Sequence, residues 1–159
     1  MKLQRTLTDA EKRLLSPGLV AALAAAGVEP VIVPRAAWLA RLTWLWRGHV
    51  PILTRGRRIF WPGAPEDFST RPASMAVLQH ELQHVLDFST GRLSALGYLL
   101  HPKNWIYRLP SPDRWDWRRL GAVQRAVLAE RLWRVEQGLE EDLDGCRACI
   151  PWAKDHDEV

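Results

Sequence analysis

The chain has almost no cysteine, little lysine and no long apolar run, and each shortage removes a class of protein. Cys146 and Cys149, in Cys146-Arg-Ala-Cys149, are the only two thiols in 159 residues, too few for a disulfide scaffold or a four-cysteine zinc module. The pair can bridge, stay free or join His156 at a metal; its acidic setting reads foremost as a solvated tail. No apolar run approaches the roughly 18 residues of a membrane span. Met1-Lys-Leu-Gln-Arg-Thr6 leads into polar residues rather than a signal core. Neither a membrane partner nor a cleaved export signal is expected, and the expected location is the cytoplasm.

Lysine is outnumbered 18 to 4 by arginine, and the 22 basic residues are interleaved with 18 acids, so the net charge of +4 draws no basic stripe along the chain. Nucleic acid is therefore not an expected partner. The nine tryptophans follow no RNA-binding pattern and suit core and rim positions. A hydrophobic content of 47% is enough for one core. We expect a single domain over residues 1–138 and a peripheral acidic tail over 139–159 that carries the Cys-x-x-Cys pair.

Along the chain, Thr8 and Glu11 form a capping box that opens a short helix, and residues 17–26 read as a second helix stopped at Gly27. Pro30-Val-Ile-Val-Pro34 is a short edge strand. Residues 35–48 are ambiguous between a helix and a packed loop. Residues 49–54 and 58–61 flank Arg55-Gly56-Arg57 as a hairpin. Residues 62–71 are turn chemistry. Residues 91–112 lack clear periodicity and read as an aromatic loop of functional length. A long helix is expected from about Trp115 to Gln137.

Between hairpin and loop stands Met75-Ala-Val-Leu-Gln-His-Glu-Leu-Gln-His-Val-Leu-Asp87. It is free of Gly and Pro, with apolar residues three and four apart, and predicts a helix over 72–90, capped by Ser69 or Thr70 and stopped at Gly91. Within it, His80-Glu81-Leu82-Gln83-His84 puts two imidazoles four apart on one face, where both can reach one zinc ion. Glu81 is placed to act as general base on a water at the ion. Two imidazoles alone bind zinc weakly, so a third donor is needed. Glu130, His101 and Asp87 are the candidates, with no protein third ligand as the remaining alternative. Asp87 suits a hydrogen bond behind the ligands better than a place among them.

The hairpin, the His-Glu-x-x-His helix, the aromatic loop and the second helix resemble the zincin metallopeptidase core, an α+β fold. Leu7-Thr-Asp-Ala-Glu11, Arg58-Ile-Phe-Trp61, the motif, Tyr107-Arg-Leu109 and Leu120-Gly-Ala-Val-Gln-Arg-Ala126 together resemble small bacterial zincin-like proteins related to the Vgr components of contractile injection systems. The resemblance implies one zinc ion, water-mediated peptide hydrolysis and a secretion-system association. It also implies a glutamate ligand at the position held here by Val123, and Glu130, about two turns further on, can replace it only if this helix is shifted or starts differently, with His101, Asp87 and no protein third ligand as the alternatives. A catalytically degenerate zincin-like binding or assembly module is the alternative. Strand 58–61 is expected to offer its edge to an extended peptide, and Tyr107 is either an oxyanion donor or a buried core tyrosine.

Overall fold

A computed structural model describes residues 4–37, 51–142 and 144–154. Expectations for the segment 38–50, including His49 and the Trp-rich part of residues 35–48, lie outside the described residues, as does His156.

Helix α1 (Asp9–Leu14) has the expected capping box between Thr8 and Glu11. The box also does long-range work, because Glu11 is fully buried, forms an ion pair with Arg5 at 2.7 Å and accepts from the Phe68 backbone N–H at 2.8 Å. Helix α2 (Pro17–Ala25) begins at proline and ends before Gly27, whose φ of +63° only glycine adopts without strain.

Strands β1 (Val31–Val33), β2 (Leu53–Arg55) and β3 (Arg58–Phe60) form one sheet in the order β1-β3-β2. β1 runs parallel to β3 and β2 antiparallel to it. The 53–60 hairpin is as expected, with Gly56 at φ +58° in its turn. The strand expected at 58–61 to present an edge does not: β3 is central, because β1 takes its other side. Among the described residues the unpaired edge beside the hairpin belongs to β2.

Helix α3 (Pro72–Ser89) carries the motif. Its N-cap is Arg71, with no side-chain cap, rather than Ser69 or Thr70. Asp67 has already taken the Ser69 N–H at 2.8 Å, and Arg71 N–H closes a turn onto Phe68, so the helix opens on the fixed φ of Pro72. Residues 91–112 are less loop-like than expected: α4 (Ala95–Leu100) is capped by Ser94, and 3-10 turns follow at Pro102–Trp105 and Pro112–Arg114.

The long helix expected from Trp115 is shorter, α5 (Ala122–Glu136). The Asp116 carboxylate accepts from the Arg118 N–H at 3.1 Å, a local bond that competes with the helix, while its backbone carbonyl accepts from the Arg119 and Leu120 N–H groups. Gly121 then caps α5, and a Cβ there would lie 2.1 Å from the Lys103 carbonyl oxygen. Asn104 completes the junction by accepting from Ala122 N–H at 3.1 Å and donating to the Gly97 carbonyl at 2.9 Å.

The tail is not peripheral between Cys146 and Lys154. Helices α6 (Cys146–Cys149) and α7 (Pro151–Lys154) bury Cys146, Ile150, Trp152 and Ala153 in the same core as Leu19, Ile59 and Leu82. Its acidic run masks an apolar rhythm in the last residues, and Trp152 packs onto Gly18 of α2. Both cysteines are free. Burial pushes the Cys146 thiol up to about 12, which makes it an inert core residue rather than a nucleophile. The whole is α+β. No helix among the described residues is long and apolar enough to cross a membrane.

Candidate metal centre

Helix α3 is buried on nearly all sides, from Leu78 through Asp87 without a break, so each of its polar side chains needs a partner. Gln79 exchanges hydrogen bonds with Ser16. Gln83 accepts from Trp152 Nε1 at 2.9 Å and donates to Asp87 at 3.0 Å. These contacts set the rotation of the helix and turn His80, Glu81 and His84 towards β2 and α5.

The His80 and His84 rings stand 5.1 Å apart, edge to face. Helix α5 brings Glu130 to them, with its Oε2 3.1 Å from His80 Nδ1. Its other oxygen accepts from Arg134 at 2.6 Å. His84 Nδ1 is buried and has no hydrogen-bond partner. Burial, with help from His80 and Arg125, holds the His84 imidazole well below its ordinary range, so it is neutral at neutral pH, as a metal ligand must be.

Glu81 is pushed up by burial. His80 and a hydrogen bond from Thr54 pull it back, while Glu130 pushes it further up. The Thr54 hydroxyl donates to Glu81 Oε2 at 2.6 Å from the middle of β2. Thr54 was not singled out by sequence; its signal is the inward position between Leu53 and Arg55 on an alternating strand. Tyr98 was also missed. It meets the His84 ring edge-on at 5.7 Å, and burial, Glu81 and Tyr107 all push its phenol up.

Tyr107 is not a buried core residue: it is exposed and stacks over His80 at 6.4 Å between centroids. Of the other candidates, Asp87 is paired with Arg125 at 2.9 Å and belongs to a separate network. His101 is exposed and lines a groove with Arg92, Lys103 and Arg118, to which neither motif imidazole contributes. Val123 is buried. The contacts His80–Glu130 and Asp87–Arg125 show that α3 and α5 run antiparallel, which puts Val123 two turns, about 10 Å, along α5 from Glu130 and away from the imidazoles.

The donor set fits zinc in kind: two imidazoles, one with a buried unpartnered nitrogen, and a carboxylate beside them. Among the described residues, however, no three His, Cys, Asp or Glu side chains are closed into a metal-holding group. No protein-family model, curated protein or solved structure matches the chain. The chemistry of the site has to be read from its own geometry.

Proposed function

We propose that this protein is a zincin-like hydrolase of peptide bonds that takes one zinc ion on His80, His84 and Glu130. The observation that carries this reading is the delivery of Glu130, fifty residues downstream, to the imidazole face of a buried His-Glu-x-x-His helix. Bound zinc would supply Lewis acidity, polarising the scissile carbonyl and lowering the pKa of the attacking water.

The chain's own residues do the rest. Glu81 accepts the proton of that water, and a carboxyl raised by burial keeps it long enough to pass it to the leaving amine. Thr54 engages Oε2 of Glu81 and leaves the other oxygen for the water. Tyr98 and Tyr107, whose rings meet the two imidazoles, are the candidate donors to an oxyanion. The edge of β2 can pair with an extended peptide, and since the same strand carries Thr54, pairing and proton transfer share one rigid element.

Zinc titration of the purified chain by calorimetry, together with peptide hydrolysis, tests this. His80→Ala and His84→Ala should each lose zinc by more than the roughly 10–100-fold that loss of a supporting hydrogen bond causes. Glu81→Gln should keep zinc while hydrolysis falls by about 10²–10⁴-fold. Zinc binding unchanged in both histidine variants would remove the proposal.

A second reading, a zincin-like binding or assembly module without catalysis, is favoured by one observation. Both oxygens of Glu130 are already engaged, by His80 and Arg134, so the carboxylate can serve to orient His80 instead of binding the ion. In that case Glu130→Ala lowers zinc affinity only within the 10–100-fold range of supporting contacts, and the zinc-loaded wild type cleaves no peptide.

A further inference from the structure

Among the described residues, every large apolar side chain left exposed except Leu139 lies between Leu96 and Tyr107. Leu96, Leu99 and Leu100 recur three and four apart and share one face of α4, with 66%, 54% and 70% of their surface in solvent. Beyond the helix Trp105, Ile106 and Tyr107 are exposed as well, Trp105 leaning on Tyr98 at 5.0 Å and Tyr107 on His80. Tyr98, on the same helix, turns instead to His84. So concentrated an apolar surface marks an interaction site.

Charge gathers beside it. Residues 91–120 hold six basic side chains, Arg92, Lys103, Arg108, Arg114, Arg118 and Arg119, against two acids, Asp113 and Asp116, a local excess of four positive charges. Asp116 pairs with Arg119 at 3.2 Å. Arg92, Lys103 and Arg118 line a groove of about 520 Å³ whose wall includes Ser94 and Gly97 of the α4 region. The exposed leucines and the cationic groove thus adjoin on one short segment.

We propose that this segment docks the protein on an anionic lipid surface, the leucines, Trp105 and Ile106 entering the acyl boundary and Arg92, Lys103 and Arg118 meeting the headgroups. Apolar insertion and cationic attraction are each weak alone and anchor reversibly in combination, and Trp and Tyr are the side chains that favour the membrane–water boundary. A second copy of this chain is a poor occupant, because a two-fold contact would oppose one cationic groove to another. The sequence argument against a membrane partner concerned a span, and a span is not involved here. Docking through residues 96–107 would hold the His80–His84 site, walled by Tyr98 and Tyr107 of the same segment, at the lipid surface.

Co-sedimentation of the full chain with phosphatidylcholine vesicles, with and without phosphatidylglycerol, tests the proposal independently of zinc and of hydrolysis. The protein should pellet with the phosphatidylglycerol vesicles and not with phosphatidylcholine alone, and added salt should release it. Lys103→Gln and Arg118→Gln should each weaken binding about fivefold. Leu99→Ser combined with Leu100→Ser should weaken it by roughly tenfold or more, with the thermal midpoint unchanged because both side chains are exposed. Failure of the folded wild type to pellet with phosphatidylglycerol vesicles would overturn the proposal, as would pelleting indifferent to the leucine changes. A concentration-dependent dimer that the leucine changes dissolve, with no vesicle binding, would assign the surface to self-association instead.

Discussion

Helices α3 and α5 lie together along their length, and their two ends handle buried polar groups in opposite ways. At one end Asp87 is bonded by Gln83 and Arg125, and Gln83 in turn by Trp152, so this chain of groups is mutually satisfied. At the other end His80 leans on Glu130 while His84 keeps a buried nitrogen with no partner. A fully paired network fixes the helices against each other. An unpaired buried nitrogen is a cost that folding alone does not explain. On the proposed reading, the paired end is structural and the unpaired end takes the ligand.

Breaking the structural end should have the largest effect on stability. Arg125→Ala strips the partner from a buried Asp87 and should cost about 3–5 kcal/mol, read from the shift of the urea midpoint, while the zinc affinity of the folded fraction changes little. Glu130→Ala should do the reverse, costing about 1–2 kcal/mol because Glu130 is only partly buried and His80 can stay neutral without it, and removing most zinc affinity. Equal stability losses in the two variants would erase the distinction.

Val123→Glu sharpens the comparison from the structural side. Introducing at Val123 the glutamate that the resemblance calls for places a carboxylate in a buried position about 10 Å along α5 from Glu130. We expect a loss of about 3 kcal/mol in stability and no gain in zinc affinity. A gain in affinity by calorimetry would show that α5 can shift in register to bring this position to the imidazoles.

Glu11 anchors a third buried polar cluster with the character of the structural end. Burial raises this carboxyl, but Arg5 and the backbone N–H groups of Thr8 and Phe68 outweigh it and hold it below the ordinary glutamate range. A carboxyl lowered in the fold adds stability above the unfolded value, and loses it as pH falls through the folded one. Glu11→Gln should therefore cost about 1–3 kcal/mol at neutral pH. The gap to wild type should close on acidification, as followed by thermal unfolding across the acid range.

Much of the local structure was legible because local chemistry decides it. The capping box at Thr8, the stop at Gly27, the Gly56 hairpin and the gap between Pro72 and Gly91 each act within a few residues, and each element formed where that chemistry predicts. The misreadings have a shared cause. Trp115–Leu120 has helical composition, yet Asp116 and the contact of Gly121 with Lys103 hold it in turns. The tail looked solvated because its acids are dense, while its few apolar residues, Ile150 and Trp152, fill a space against α2 that only the folded chain creates. The central place of β3 depends on β1 joining it in parallel across a long stretch of chain, which no hairpin signal contains.

The sequence by itself determined the motif helix, the four-residue spacing of His80 and His84 and the position of Glu81 between them, because helical geometry is a property of consecutive residues. Only the tertiary structure decided that Glu130, rather than Asp87, His101 or the Val123 position, meets His80, since that choice depends on the antiparallel register of α3 and α5. It also decided that Thr54 holds Glu81 and that Tyr98 and Tyr107 cover the histidines. Contacts across long sequence separations follow from how whole faces pack, and a face is complete only once every element that covers it is in place.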